Sequence, residues 1–150
     1  MRPERDEHLE SRPSPETSGG RSRALVVGRG VIAVIFIAAG INHFVAPAFY
    51  ESIVPPILPR PDLMVVVSGV AEVLGGAGLL VAGLRRAAAW GLIALLIAVY
   101  PANIFMALNP ELPPQVRFPE WSLWARLPIQ FVMIWLVWLV GIRRRAGSEG

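Results

Sequence analysis

Cysteine is missing from the 150-residue chain. Its absence excludes disulfide bonds, CxxC redox chemistry, thiolate metal sites and iron–sulfur clusters. Lysine is missing too, so all 14 basic residues are arginine. Only one histidine, His43, lies in an apolar run, which excludes a bis-histidine haem within a single copy of the chain. Charged residues make up 17% and hydrophobic residues 54% of the sequence, more apolar surface than a soluble core can use. The composition therefore predicts an integral membrane protein.

Four apolar runs are long enough to cross a bilayer, because a spanning helix needs about 20 residues. They cover residues 24–44, 63–83, 87–108 and 122–142. The expected fold is an all-α membrane protein whose four transmembrane helices form one antiparallel bundle over residues 24–142. Residues 1–23 are polar and rich in Pro, Ser, Gly and Glu, so we expect a disordered tail there. Residues 143–150 form a short basic tail.

The arginines are distributed unevenly along the chain, and this predicts an orientation. Residues 1–29, the turn at 85–86 and the C-terminal tail hold all of them except Arg60, Arg117 and Arg126. Because arginine is retained on the cytoplasmic side, both termini are expected in the cytoplasm of a plasma-membrane protein. The proline-rich loops 46–62 and 109–121 then lie outside, and a short interfacial helix is expected near 47–53. The arginines flank apolar runs, which argues against a nucleic-acid partner.

Glu72 lies near the middle of the second run, where a carboxylate costs several kcal/mol unless it faces protein. Ser68, Gly75 and Gly76 share its helix face at spacings of three and four residues. Small residues allow helices to approach closely, so this face should point into the bundle. The protonation of Glu72, and whether it is paired with Arg126, are left open.

Each run contributes a polar group to the outer half of the membrane, whereas the inner half is almost entirely apolar. Helical rise places some of these groups within about 8 Å of the outer surface and the others at about 12–15 Å. The candidate ligand-binding residues are Asn42, His43, Glu72, Tyr100, Asn103, Arg126 and Gln130. The first interpretation of these residues is a ligand site. The second is that their hydrogen bonds only hold the helices together. No group with metal-ligand spacing is found, so no metal is expected, and no catalytic residue is assigned.

The chain resembles the DoxX-like family of small four-helix membrane proteins over roughly residues 27–142. The resemblance is carried by the following segments: GINHF (40–44), VPPILPRP (54–61), SGVAEVLGGAGLL (68–80), YPANI (100–104) and RLPIQ (126–130). It implies a four-helix membrane bundle. It also implies association with quinone-linked redox enzymes, from which the family takes its name.

Two functions are compatible with these features. The first is a redox-associated accessory subunit, rather than an enzyme on its own, that binds quinone or a similar amphiphile from the outer leaflet. Its partners would be the lipid bilayer and other subunits of a membrane redox complex, and a homo-oligomer is possible. The second is a non-catalytic scaffold or assembly factor. Transport is disfavoured, because the inner half of the membrane offers no polar path.

Overall fold

The computed structural model describes residues 16–111 and 118–143. Within them every regular element is a helix, which confirms the prediction of an all-α protein. The elements are α1 (Glu16–Val45), α2 (Pro47–Ser52), α3 (Pro61–Leu80), α4 (Arg85–Leu108) and α5 (Glu120–Gly141). Four helical segments are long and apolar enough to cross a membrane: Arg23–Val45, Pro61–Leu80, Arg85–Leu108 and Glu120–Gly141. The chain is therefore a multi-pass membrane protein.

Helices α3, α4 and α5 each begin two residues before the expected start, and two larger differences occur elsewhere. The first helix begins at Glu16, so residues 16–23 are helical although the sequence predicted a disordered tail up to residue 23. Extending a helix that already exists costs little, because each added residue gains a hydrogen bond. Helix α3 ends at Leu80 rather than near Gly83, because Val81 has extended backbone angles. The rest of the predicted N-terminal tail and residues 144–150 lie outside the described residues.

The helices form a ring in which α3 packs between α1 and α4, and α5 packs on α4 and closes against α1. At one end of the bundle α1 and α4 begin and α3 and α5 finish, and we call it the arginine end. We call the opposite end, which includes α2, the proline end. At the arginine end, Arg29 donates from Nε and Nη2 to the Val140 carbonyl at 3.2 and 3.1 Å. This joins α1, near the middle of its length, to the end of α5, and the neighbouring helices run antiparallel.

Glycines allow the backbones of α1 and α3 to approach each other closely. A Cβ added to Gly40 would lie 2.6 Å from the Gly69 carbonyl oxygen, and one added to Gly76 would lie 2.8 Å from the Ala33 carbonyl oxygen. Side chains at these positions would separate the two backbones. The close approach is what places residues at the end of α1 beside the middle of α3.

Two apolar cores lie at different depths. The inner core, toward the arginine end, contains Ile32, Ala33, Phe36, Leu79, Ala89, Leu92, Ile93 and Val137. The outer core, toward the proline end, contains Ile53, Met106, Ala107 and Leu123, with Phe49, Tyr50 and Phe118 packed against it. Asn103 on α4 and Gln130 on α5 lie between these two cores. Polar side chains therefore occupy the layer between two apolar cores.

Candidate functional site

A histidine and a carboxylate meet where α1 crosses α3. His43 Nδ1 lies 3.3 Å from Glu72 Oε2, and the two side chains are only 10% and 14% exposed. His43 is in the last turn of α1, and Glu72 is in the middle of α3. The glycine contact one turn before His43 brings the two helices close enough for this pairing.

The pair has more hydrogen-bond acceptors than donors. His43 Nδ1 also lies 2.9 Å from the Ala39 carbonyl oxygen. A carbonyl only accepts, so Nδ1 must carry a hydrogen, and that hydrogen is directed to Ala39. Glu72 Oε2 is buried and has no hydrogen-bond partner among the described residues. An unsatisfied buried oxygen costs about 1–3 kcal/mol, more if charged, so this atom is ready to accept a donor from a ligand.

Helix α2 folds back and covers the histidine with an aromatic ring. The rings of Tyr50 and His43 are stacked, with centroids 3.8 Å apart and an interplanar angle of 17°. Asn42 Nδ2 donates to the Tyr50 hydroxyl oxygen at 2.8 Å on the exposed side of the cluster. The tyrosine O–H itself has no acceptor among the described residues. We call Asn42, His43, Tyr50 and Glu72 the acid cluster.

Arg126 belongs to an aromatic group beside the acid cluster and does not contact Glu72. Its guanidinium carbon lies 4.9 Å from the centre of the Phe118 ring, and Nη1 is 3.6 Å from the Met106 sulfur. Phe118 packs edge to face on Phe49, which packs in the same way on Tyr50. The pairing of Arg126 with Glu72, one of the two predicted alternatives, is not formed. Among the described residues Glu72 lies beside His43, and Asp62 forms an ion pair with Arg60.

The two amide side chains predicted for the site bind each other instead. Asn103 Nδ2 donates to Gln130 Oε1 at 2.7 Å, and Gln130 Nε2 donates to the Leu96 carbonyl. Pro101 lies inside α4 and cannot donate to the Ile97 carbonyl, whereas Gln130 binds the neighbouring Leu96 carbonyl. We call Asn103, Gln130 and the Leu96 carbonyl the amide cluster.

The remaining polar residues predicted for this face are held locally. Tyr100 packs edge to face on Phe131, with ring centroids 5.4 Å apart. Ser68, one turn before Glu72, donates to the Met64 and Val65 carbonyls of its own helix at 2.8 and 3.1 Å. Neither therefore supplies a partner for the carboxylate.

Tyr50 is the member of the acid cluster that sequence reasoning missed. Its sequence context is that of an interfacial anchor or packing residue, because aromatic residues are common at membrane surfaces. The signal in the sequence was the short distance between the end of the first span and the predicted helix near 47–53. Because so few residues connect the two helices, the chain must turn back over residues 42 and 43. The structure has that helix as α2, over Pro47–Ser52, which confirms the prediction of a short helix there.

This arrangement defines a class: a four-span helical membrane protein with a buried carboxylate in the layer between its two cores. One oxygen of that carboxylate has no hydrogen-bond partner among the described residues. Residues 32–141 match a family described as a domain of unknown function, DUF8561, and the chain belongs to that family. No curated protein matches the chain. No solved structure matches it either. None of these comparisons links the chain to the DoxX family, so that resemblance stays a prediction.

Proposed function

We propose that this DUF8561 protein binds a quinol, or a similar amphiphile with a hydroxyl head group, at the acid cluster. In this proposal it acts as an accessory subunit of a membrane redox complex. The observation that carries the proposal is the buried Glu72 Oε2, which lacks a hydrogen-bond partner among the described residues. A hydroxyl head group would supply the missing donor, and the electron transfer itself is assigned to a partner subunit.

The surroundings of the carboxylate suit such a head group. Tyr50 offers an O–H donor and an aromatic face, and His43 contacts both that ring and the carboxylate. Asn42 is exposed, so the acid cluster is approached from the surface near the end of α1. A ring with one donor and one acceptor group could bind Glu72 and Tyr50 together. Glu72 could then exchange a proton with the bound molecule, because ionised carboxylates accept and protonated ones donate.

The binding experiment compares a decyl-tailed benzoquinol with its dimethyl ether, using purified protein in nanodiscs. The two molecules share ring and tail, but only the quinol donates hydrogen bonds. A hydrogen bond to a charged group is worth about 1.5–3 kcal/mol, so the quinol should bind roughly 10- to 100-fold more tightly. Glu72→Gln should remove most of this preference while leaving insertion and yield unchanged.

Gln130→Leu is the matched control, because it removes a buried polar group at a similar depth but outside the acid cluster. It should leave the preference for the quinol intact. Equal binding of the two ligands to the wild-type protein, or an unchanged preference in Glu72→Gln, would contradict the proposal. Extraction of the native protein with mass spectrometry adds an independent readout, since a bound native quinone should accompany it.

The amide cluster favours the second candidate, a non-catalytic scaffold, for that part of the molecule. Asn103 and Gln130 use their hydrogen bonds to join α4 and α5, which is the behaviour of structural polar residues in membranes. If the acid cluster behaved in the same way, Glu72→Gln would lower the yield of folded protein and no ligand would be found. That result would transfer our preference to the scaffold.

We further propose that the arginine end faces the cytoplasm of a plasma-membrane protein, which puts the acid cluster toward the outer leaflet. The natural absence of cysteine allows a direct test with single substitutions at exposed positions of the two ends. In intact cells an impermeant maleimide should label Leu58→Cys at the proline end and spare Leu84→Cys at the arginine end. Labelling of Leu84→Cys alone would reverse the orientation.

A further inference from the structure

An apolar groove lies between α3 and α4 near the arginine end, away from both polar clusters. Its volume is about 300 Å³. The residues that line it are Ala71, Leu74, Gly75, Gly78, Leu84, Ala87, Ala88 and Gly91. Most are small, and their small side chains leave a furrow on the surface that faces lipid.

The groove runs along the membrane normal from the turn between α3 and α4 toward the middle of the bundle. Gly78 to Ala71 and Leu84 to Gly91 each span seven residues, which is about 10 Å of helix. That length corresponds to a large part of one leaflet of the hydrocarbon core, which is about 15 Å thick. The groove therefore has the position and extent of a seat for part of one acyl chain.

Two arginines lie at the mouth of the groove, which is its end nearest the turn between α3 and α4. Arg85 and Arg86 begin α4, between the lining residues Leu84 and Ala87. Arg85 Nε donates to the Leu79 carbonyl at 3.4 Å, which keeps it beside the end of α3, and Arg86 is exposed. Among the described residues neither arginine is in an ion pair. Basic groups beside a cleft between transmembrane helices commonly bind anionic lipid head groups.

We infer that this groove binds an anionic phospholipid, with an acyl chain between α3 and α4 and its phosphate at Arg85 and Arg86. The charge at the mouth favours a lipid over a second copy of the chain, because the same end of a second copy would also present arginines. This inference is independent of the proposed quinol site.

The test is native mass spectrometry of the full chain, titrated with dioleoyl phosphatidylglycerol or dioleoyl phosphatidylcholine. The acyl chains are identical, so any difference reports on head-group charge. Wild-type protein should bind phosphatidylglycerol about 10-fold or more tightly, as each basic residue near the surface contributes about fivefold. Arg85→Gln together with Arg86→Gln should abolish this preference, whereas Arg143→Gln, at the same end, should keep most of it.

Gly91→Leu tests the groove itself. A Cβ at Gly91 meets nothing within 4 Å, so leucine fills the groove without a clash in the bundle. Gly91→Leu should weaken the binding of phosphatidylglycerol about 10-fold, which corresponds to the loss of about two buried methylene groups. Gly30→Leu is the matched control, because Gly30 also meets nothing within 4 Å but lies on α1.

Three outcomes would overturn the inference. The first is equal affinity of the wild-type protein for the two lipids. The second is unchanged lipid binding in Gly91→Leu, or complete displacement of the lipid by glycerol phosphate, because either would remove the acyl chain from the groove. The third is a wild-type dimer that Gly91→Leu converts into a monomer, which would assign the groove to a second copy of the chain.

Discussion

The acid cluster and the amide cluster lie in the same layer of the bundle, but they differ in hydrogen-bond balance. In the amide cluster two donors meet two acceptors, and α4 is joined to α5. In the acid cluster one N–H lies near two acceptors, and Glu72 Oε2 is left without a partner among the described residues. A balanced cluster stabilises a fold, whereas an unbalanced one costs stability and can regain it only from a proton or a ligand. This difference separates a structural role from a binding role.

The contact that brings the acid cluster together should be the most sensitive to change. Gly40→Ala places a Cβ 2.6 Å from the Gly69 carbonyl and 2.8 Å from Val73 Cγ2. We expect the free energy of unfolding in detergent to fall by about 3 kcal/mol, the upper range for overpacking. Gly30→Ala, with nothing nearby, should cause no loss. Equal stability of the two variants would mean that the helix contact does not hold the cluster.

Breaking the balanced cluster should have the next largest effect. Gln130→Leu leaves Asn103 without its acceptor and should lower the free energy of unfolding by about 1–2 kcal/mol. Adding Asn103→Leu should recover part of this loss, because replacing both partners removes the unpaired group. A double variant that loses the full sum of the two single losses would show that the amides act independently.

In the unbalanced cluster the same kind of change should be nearly neutral for stability. Glu72→Gln removes the charge but keeps the shape, and no hydrogen bond to Glu72 Oε2 is lost. We expect the free energy of unfolding to change by less than about 1 kcal/mol, in either direction. A loss as large as that of Gln130→Leu, measured in the same detergent, would remove the distinction between the two clusters.

The smallest effect is expected at the exposed edge of the acid cluster. Tyr50→Phe keeps the stacking on His43 but removes the acceptor of Asn42, and should cost about 0.5 kcal/mol. Asn42→Ala should cost the same, and the double variant no more than either, because one hydrogen bond is shared. Additive losses in this double-mutant cycle would show that the Asn42–Tyr50 bond does not form in the membrane.

The sequence was sufficient to predict the helices, because spanning length and apolar composition identify them directly. It also predicted that the glycine-lined face of Glu72 points into the bundle, and Gly76 is indeed buried against α1. Counting residues from a helix end gives the depth of a side chain. The residue count therefore places His43, Asn103 and Arg126 at similar depths in the membrane, which suggests one site.

Depth does not give the direction in which a side chain points around its helix, and this is where the single predicted site divides into separate groups. His43 turns toward α3, Asn103 toward α5, and Arg126 toward the Phe118 ring. These directions depend on which helices are neighbours and on how close they come. The Gly40–Gly69 contact sets how closely α1 and α3 approach each other. A single sequence does not show which glycines on two helices meet.

The inner core has a consequence for the electrical behaviour of the protein. Among the described residues the buried side chains between the arginine end and the acid cluster are all apolar, from Ile32 and Phe36 on α1 to Val137 on α5. A proton that Glu72 takes up from the proline end would have to leave by the same end, since moving a charge through that core is costly. Proton uptake and release at the acid cluster would therefore move no net charge across the membrane.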